Sequence, residues 1–439
     1  MKSRGRRNFL RNTGIAGVTS MLGINPFLNI SVSPGNKNPV SANGDITTEG
    51  NIKIYTDFIN GGGIAKLVST DPLTIRFQPH DEGGSGWSKV WFHFKIEGLI
   101  PNQQIRLELE KGDPAIQGTS SQIAFSYDAE MWGLTDTGKL ADNGEFFVYT
   151  HTVRSERVWF AYNFPYTSHH AENLLIPQAL KDQNTQVIEL CKSRNKRSVK
   201  AIRLKQYNGQ KKYGIWLQAR AHAFESGSSW VIHYLALWLL SDNSLAISLR
   251  QCADITVVPI VDADGVFEGR TGKNASPYDH GRSWSEEDQY WPELDAIKSM
   301  VSENVEQDLM DLFLDIHGPG GGHHPFFIVP LEKDLPYKAQ QTNRSAFFKA
   351  LQAKPLDEKA RLTQSMTHFH YSERSEEKHS LKKATPPQWV TQNAKPHTIA
   401  FTLEINMNTP MSTMEGYQAQ ARVLGEAIAT YFTEGKHTK

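Results

Sequence analysis

Two histidines and two glutamates in this chain have types and settings suited to hydrolytic chemistry. His222 and Glu225 stand three apart in "QARAHAFESGSSWV", where the apolar run "YGIWLQAR" gives way to the longer apolar run "SSWVIHYLALWLL". The first run reads as a buried strand and the second as a core helix, so the pair sits at a strand end. His317 closes another strand-like run in "LFLDIHGPGGG", and Glu404 lies in a third, "IAFTLEI". Two neutral imidazoles with one carboxylate make a familiar catalytic zinc set, with the fourth position left to water. Glu404 would then be the base that takes a proton from the water and passes it to a leaving amine. Asp315, two residues before His317, is expected to face away from this set. The His-x-x-Glu pair alone says less, because it recurs by chance in a chain with 16 histidines. Its other reading is a polar pair at a helix N-terminus, where the dipole favours Glu225.

The elements that must hold these residues follow from length and patterning. The chain has 439 residues, more than one hydrophobic core usually organises, and is 39% hydrophobic and 10% aromatic, ample for packed globular domains. Residues 51–170 alternate apolar and polar over short runs such as "LTIRFQ", "KVWFHFKIEG", "QIRLELEKG" and "EFFVYTHTV". Separated by Gly, Pro, Asn and Asp, these predict an antiparallel β-sandwich whose aromatics fill a core. In residues 171–435 longer helical runs, "SEEDQYWPELDAIKSMVSEN" and "MEGYQAQARVLGEAIATYFTE", alternate with the short strands "DITVVPIVD", "DLFLDIHG", "FFIVP" and "HTIAFTLEI". This half reads as an α/β domain with a mixed central sheet, and strand ends of such sheets are where ligands bind.

Charge and termini narrow the class. Lys+Arg 47 balance Asp+Glu 47, a formal net charge of +0, so no global field attracts nucleic acid or an anionic membrane surface. The basic run "CKSRNKRSVKAIRLK" has few interleaved aromatics and reads as a solvated connection. Residues 1–50 form a leader in which Arg6 and Arg7 precede Phe9, Leu10 and a weakly apolar run, resembling a twin-arginine export signal. That run is too short and too rich in Gly, Thr and Ser for a stable membrane anchor. The expected location is periplasmic or secreted, and cleavage could fall near "PVSANG". The two cysteines, Cys191 and Cys252, are open to one disulfide or to two buried free thiols.

Beyond these residues, several segments resemble the zinc carboxypeptidase family, in the branch related to cytosolic carboxypeptidases. "ARAHAFESGSSWV" is similar to that branch's ligand segment, "VPIVDADGV" to its Pro-x-x-Asn-Pro-Asp-Gly-Val segment and "PYDHGRSW" to its Asp-Leu-Asn-Arg-x-Trp segment. "LDIHG" and "FTLEI" resemble its third-ligand and catalytic-glutamate strands, and "FAYNFPYTSHH" resembles the join between a small β-sandwich and the catalytic domain. The resemblance covers residues 52 to 432. It implies one zinc per chain held by His222, Glu225 and His317, Glu404 as general base and acid, and Arg282 gripping the terminal carboxylate of a peptide substrate.

Two departures accompany it. Gly281 replaces the asparagine that normally shares the substrate carboxylate, and Gly272 stands where the family has an arginine that stabilises the oxyanion. Lys273 is the expected substitute, with Arg270 a second basic residue toward substrate. His323, His324, His368 and His370 are expected outside the ligand set, and Tyr371 is a candidate substrate cover. Side-chain preference would be read within "KKATPPQWVTQNAKPH", where Lys382 or Lys383 would favour acidic residues and Trp389 apolar ones. The expected activity is therefore removal of a C-terminal residue from peptides. A zinc amidase acting on cell-wall peptides, or a zinc-binding module without activity, are the alternatives, and oligomeric state is not legible.

Overall fold

Alternating side chains build two facing sheets in the first part of the chain and continuous apolar runs build a third in the second. The computed structural model of the protein describes residues 47–49, 51–83, 89–110, 121–205, 213–285, 287, 289–318, 325–329, 335–354, 384–407, 409 and 412–439. The export-like leader, His323, His324, His368, His370, Tyr371, Lys382 and Lys383 lie outside them. Residues Asn43–Lys439 belong to one compact unit.

Among the described residues one sandwich sheet orders β1 (Thr47–Glu49), β2 (Ile52–Tyr55), β5 (His93–Glu97), β11 (Arg157–Ala161), β7 (Ala124–Ser126) and β8 (Trp132–Leu134). The other orders β3 (Ile64–Thr70), β4 (Leu73–Gln78), β6 (Gln104–Glu110), β10 (Phe146–Thr152) and β9 (Lys139–Leu140). The expectation of antiparallel pairing needs one correction, because β4 and β6 run parallel. Between them the chain crosses to β5 in the opposite sheet, so it returns in its original direction. Phe77, Phe92, Phe94, Leu107 and Phe160 fill the space between the sheets, with Phe77 and Phe92 edge to face at 4.8 Å. The aromatics are thus a core.

The third sheet is mixed, in the order β12 (Thr185–Lys192), β13 (Ser198–Leu204), β15 (Ala253–Val258), β14 (Tyr213–Ala219), β16 (Leu312–His317), β18 (Ile399–Glu404) and β17 (Phe326–Ile328). The four inner strands are parallel and the outer pairs antiparallel. Every residue of β14, β15 and β16 is buried, as expected for parallel strands covered on both faces. Ile215 and Leu217 enter one apolar cluster with the helices Ser226–Leu240 and Met414–Thr433, while Trp216 between them enters another with the helix Pro292–Glu306. One strand therefore serves both layers of an α/β/α domain.

Local chemistry adjusts three expectations. The helix sought from Ser285 begins at Pro292, because the residue before a proline avoids helical backbone and Trp291 is extended, at φ −91° and ψ 117°. The basic run from Cys191 is the β12–β13 edge hairpin rather than a connection, and Arg194 and Arg197 lie over the rings of Tyr290 and Phe267, each at 3.9 Å. Cys191 and Cys252 are both partly buried, and no disulfide joins them.

Between sandwich and α/β layers the chain packs backbone against backbone. Asn60 N donates to Phe267 O at 2.8 Å and Asn60 Nδ2 to Val266 O at 2.7 Å. A Cβ on Gly62 would stand 2.4 Å from Gly269 O, so only glycine allows this approach. This contact fixes one end of the 266–274 segment, which leads into the site.

Candidate metal centre

Parallel pairing of β14, β16 and β18 brings three chemistry-bearing residues to one end of the sheet. Ala219 pairs with Ile316, and His317 stands directly across from Glu404. His222 follows β14 by three residues, on a tight loop entered through Arg220 in left-handed backbone at φ 67°. Glu225 is the N-cap residue of the helix Ser226–Leu240. Sequence reading did not single out Arg220, yet it frames this loop from inside. Its Nε donates to Ala223 O at 2.7 Å and its NH1 to Tyr166 O at 3.1 Å, and burial pulls its pKa down to about 9. An arginine ending a strand with alanines on either side was the available signal.

The donor atoms converge. His222 Nδ1 lies 2.9 Å from Glu225 Oε1 and 3.1 Å from His317 Nδ1, and His317 Nδ1 lies 2.9 Å from Glu225 Oε2. All three residues are buried, and Glu225 Oε2 accepts no hydrogen bond from any described residue. A buried carboxylate oxygen without a donor is costly, and a cation resolves the cost. Two imidazole nitrogens and a carboxylate about 3 Å apart are the donors and spacing a tetrahedral zinc takes, so the residues fit the metal.

Each histidine is oriented from behind by a carboxylate. Asp279 Oδ1 is 3.3 Å from His222 Nε2, and Asp315 Oδ2 is 2.8 Å from His317 Nε2. Such partners fix the tautomer that offers Nδ1 to a metal. The expectation that Asp315 faces away is overturned, since residues two apart on a strand share a face. Asp315 is held in turn by Gln218 Nε2 at 3.1 Å, and Gln218 by Trp216 Nε1 at 2.9 Å. Burial alone would raise the pKa of Asp279, but His222 and Arg282 hold it down at about 2. For Glu225 burial also opposes ionisation, and Lys273, His222 and His317 together keep its carboxyl well below the usual range. Glu404 is different: burial raises its pKa, with His317 opposing and Glu225 adding to the rise. A carboxylate with a raised pKa can both take and return a proton near neutral pH.

The basic residues separate. Lys273 comes to the site, its Nζ 3.0 Å from Glu225 Oε1 and 5.5 Å from the centroid of the Phe224 ring. Arg270 does not: it is half exposed and pairs with Glu268 at 2.8 Å, without contact to the ligand residues. Among the described residues the Arg282 side chain makes one long hydrogen bond, from NH1 to Gly281 O at 3.4 Å, and pairs with no carboxylate. Its loop is anchored by Trp284, whose Nε1 donates to His280 O at 3.1 Å, and by His280, whose Nε2 lies 2.6 Å from Glu293 Oε1. Both departures are built into the backbone. A Cβ at Gly281 would stand 3.1 Å from His222 Nε2, and one at Gly272, at φ +83°, would stand 2.6 Å from Ala223 N.

Two further buried clusters combine histidine with carboxylates, Asp262/His280/Glu293 and Asp311/His397/His437. The first underlies the Arg282 loop. The second ties the C-terminal residues to the opposite end of the sheet, His437 Nε2 lying 2.8 Å from Asp311 Oδ1.

Residues 177–292 match the zinc carboxypeptidase family model. The chain is 26% identical to an uncharacterized protein of Zymomonas mobilis over 60% of this chain and 67% of that one. It is 24% identical to cytosolic carboxypeptidase 6 of Caenorhabditis elegans over 62% of this chain and 63% of that one. It is 22% identical to human cytosolic carboxypeptidase 1 over 54% of this chain, but it spans only 23% of that relative. Among solved structures, a metallo-carboxypeptidase from Burkholderia cenocepacia superposes with a TM-score of 0.71 at 20% identity, covering 87% of this chain and 98% of that one. A metallo-carboxypeptidase from Pseudomonas aeruginosa, in complex with (2-guanidinoethylmercapto)succinic acid, gives 0.69 at 22% identity over 86% and 98%. The fold is shared with both. The segment that matches the zinc carboxypeptidase family model thus contains His222, Glu225 and Arg282.

Proposed function

We propose that the protein is a zinc-dependent metallocarboxypeptidase that removes a C-terminal residue from peptides. The reading is carried by one arrangement: three converging donors, with Glu404 across the sheet from His317 and, on the loop beside them, a guanidinium that has no carboxylate partner among the described residues. His222, Glu225 and His317 would hold one zinc, which when bound lowers the pKa of a water toward about 7 and polarises the scissile carbonyl. Glu404 takes the proton of the attacking water and returns it to the leaving amine. Lys273 supplies a cation toward the carbonyl oxygen as charge builds there, in place of a family arginine that Gly272 cannot provide. Arg282 offers its planar fork to the substrate's terminal carboxylate.

The closely packed Gly281 favours a second reading. With the shared asparagine absent, the grip on a free carboxylate rests on Arg282, and an amide in a cell-wall peptide becomes an acceptable substrate. A peptide panel with free and amidated C-termini separates the two. Cleavage only of free C-termini supports the carboxypeptidase, equal cleavage of both supports the amidase, and zinc binding without turnover on either leaves a binding module. Export by the twin-arginine route is part of the proposal, resting on Arg6, Arg7, Phe9 and Leu10. Retention of an Arg6→Lys/Arg7→Lys variant in the cytoplasmic fraction is the expected result, and unchanged export would remove that part.

A further inference from the structure

We infer that Glu82, contributed by the sandwich, is a positioning residue that holds Lys273 over the metal ligands. The inference rests on the reading of Lys273 as the cation for the carbonyl oxygen. Glu82 follows β4 and reaches across to the 271–274 turn. Both its carboxylate oxygens lie 2.9 Å from Gly272 N, and its backbone oxygen accepts from Asn274 Nδ2 at 3.0 Å. One residue earlier, Thr271 Oγ1 accepts from the sandwich amides Val90 N at 3.3 Å and Trp91 N at 3.2 Å. On the other side Thr271 O accepts from Phe224 N at 3.1 Å, in the loop between His222 and Glu225. Sandwich, turn and ligand loop are therefore joined in series.

The backbone explains why such a clamp is needed. Gly272 sits at φ +83°, a conformation glycine adopts no more readily than its mirror alternative and therefore does not enforce by itself. The amide of Gly272 points at Glu82, so the carboxylate selects this conformer, and Lys273, the next residue, leaves the turn toward Glu225 at 3.0 Å. A carboxylate accepting a backbone N–H makes one of the stronger hydrogen bonds available, and this one is partly buried. Charge alone does not place Lys273, because a long flexible amine has many ways to reach an acid. A fixed backbone removes most of them.

The test compares Glu82→Ala and Glu82→Gln with wild type, using signal-free protein. Amine labelling with acetic anhydride, read by mass spectrometry in metal-free protein, reports Lys273 directly, with Lys298 as control. In Glu82→Ala, Lys273 should label about tenfold or more faster while Lys298 is unchanged, the ratio expected when a hydrogen bond to a charged group is lost. Glu82→Gln keeps an amide oxygen for Gly272 N and should restore most of the protection. If Glu82→Ala loosens the fold and Lys298 labels faster as well, Glu82→Gln decides: a protected Lys273 supports the clamp, and a Lys273 as exposed as in Glu82→Ala while Lys298 labels at its wild-type rate overturns it. Unchanged labelling of Lys273 in Glu82→Ala also overturns it. Kinetics then separate the clamp from the reading beneath it. Lys273→Ala should lower kcat by about a hundredfold with KM little changed, and adding Glu82→Ala should lower it no further. Independent, multiplying losses overturn the clamp alone. Full activity in Lys273→Ala overturns the role of Lys273, and the clamp as a catalytic device with it.

Discussion

Buried histidines are treated in opposite ways at the ligand end of the mixed sheet and in the sandwich with its adjoining seam. At the ligand end they face carboxylates. Burial would lower the pKa of His317, but Asp315 and Glu225 hold it well above the ordinary value, and Asp262 and Glu293 raise that of His280 in the same way. In the sandwich and seam they face rings and backbone. Burial pushes His93 and His170 down to about 3 and His151 and His233 to about 4. His93 gives Asn60 O a contact at 3.1 Å and stands edge-on to the Phe58 ring at 4.8 Å, with no carboxylate partner among the described residues. The side chain is the same in both regions, and His93 and His233 are buried as His222, His280 and His317 are. What differs is the partner: a carboxylate behind the ring prepares an imidazole to bind a cation, whereas an aromatic cage makes it a neutral packing element.

Four perturbations would break or sharpen that contrast, and the largest is at the base. Glu404→Gln should keep one zinc per chain by elemental analysis yet lose about a thousandfold or more in kcat against the best peptide of a library, since acid–base catalysis contributes about 10²–10⁴. Turnover at the wild-type rate would remove Glu404 from the mechanism. Next come the orienting carboxylates. Asp315→Asn and Asp279→Asn should each weaken zinc about 10- to 100-fold in competition with a chelator, the usual cost of losing such a partner. Wild-type affinity in both would mean that the carboxylates serve packing alone.

The third concerns acid stability. Above about pH 6.5 neither the folded nor the unfolded chain protonates His93, so the group makes no difference. Between about 6.5 and about 3 the unfolded chain binds a proton that the folded chain refuses, so stability falls as pH falls, and below that window the loss levels off. At pH 5 the cost is on the order of 2 kcal/mol. Urea melts at pH 7 and pH 5 should therefore converge in His93→Gln relative to wild type, and an unchanged gap would place the acid sensitivity elsewhere. The smallest effect is expected at the seam. Tyr166→Phe removes the hydroxyl 3.2 Å from His233 Nδ1 and should cost about 1 kcal/mol in denaturant melts while leaving zinc affinity unaltered.

Much of this organisation is legible in the residue order. Binary patterning is a local property, so the runs that became β4, β6, β14, β16 and β18 could be read directly, as could the helix Met414–Thr433. The candidate ligand set was legible for a related reason. A histidine and a glutamate in loops where apolar strands end have little structural purpose there, and Glu404 within an apolar strand has still less. Turn chemistry was harder to read. The Pro292 start of a helix followed from a single residue whose effect outweighed the surrounding helical pattern, and the parallel β4–β6 pair depended on which sheet the intervening strand joined. Asp315 shares a face with His317 because side chains on a strand repeat every two residues, a signal present in the sequence.

The sequence by itself determined the fold class, the candidate metal ligands His222, Glu225 and His317, and the candidate base, because each depends on residue type within a short window. Tertiary structure alone decided which charges act together. Lys273 meets Glu225 while Arg270, three positions earlier, turns outward to Glu268. Asp279 meets His222 across 57 positions, and Glu82 meets Gly272 across 190. These pairings are set by how rigid layers stack around a shared core, and Coulomb and hydrogen-bond energies depend on separation in space, on which separation along the chain gives no hold.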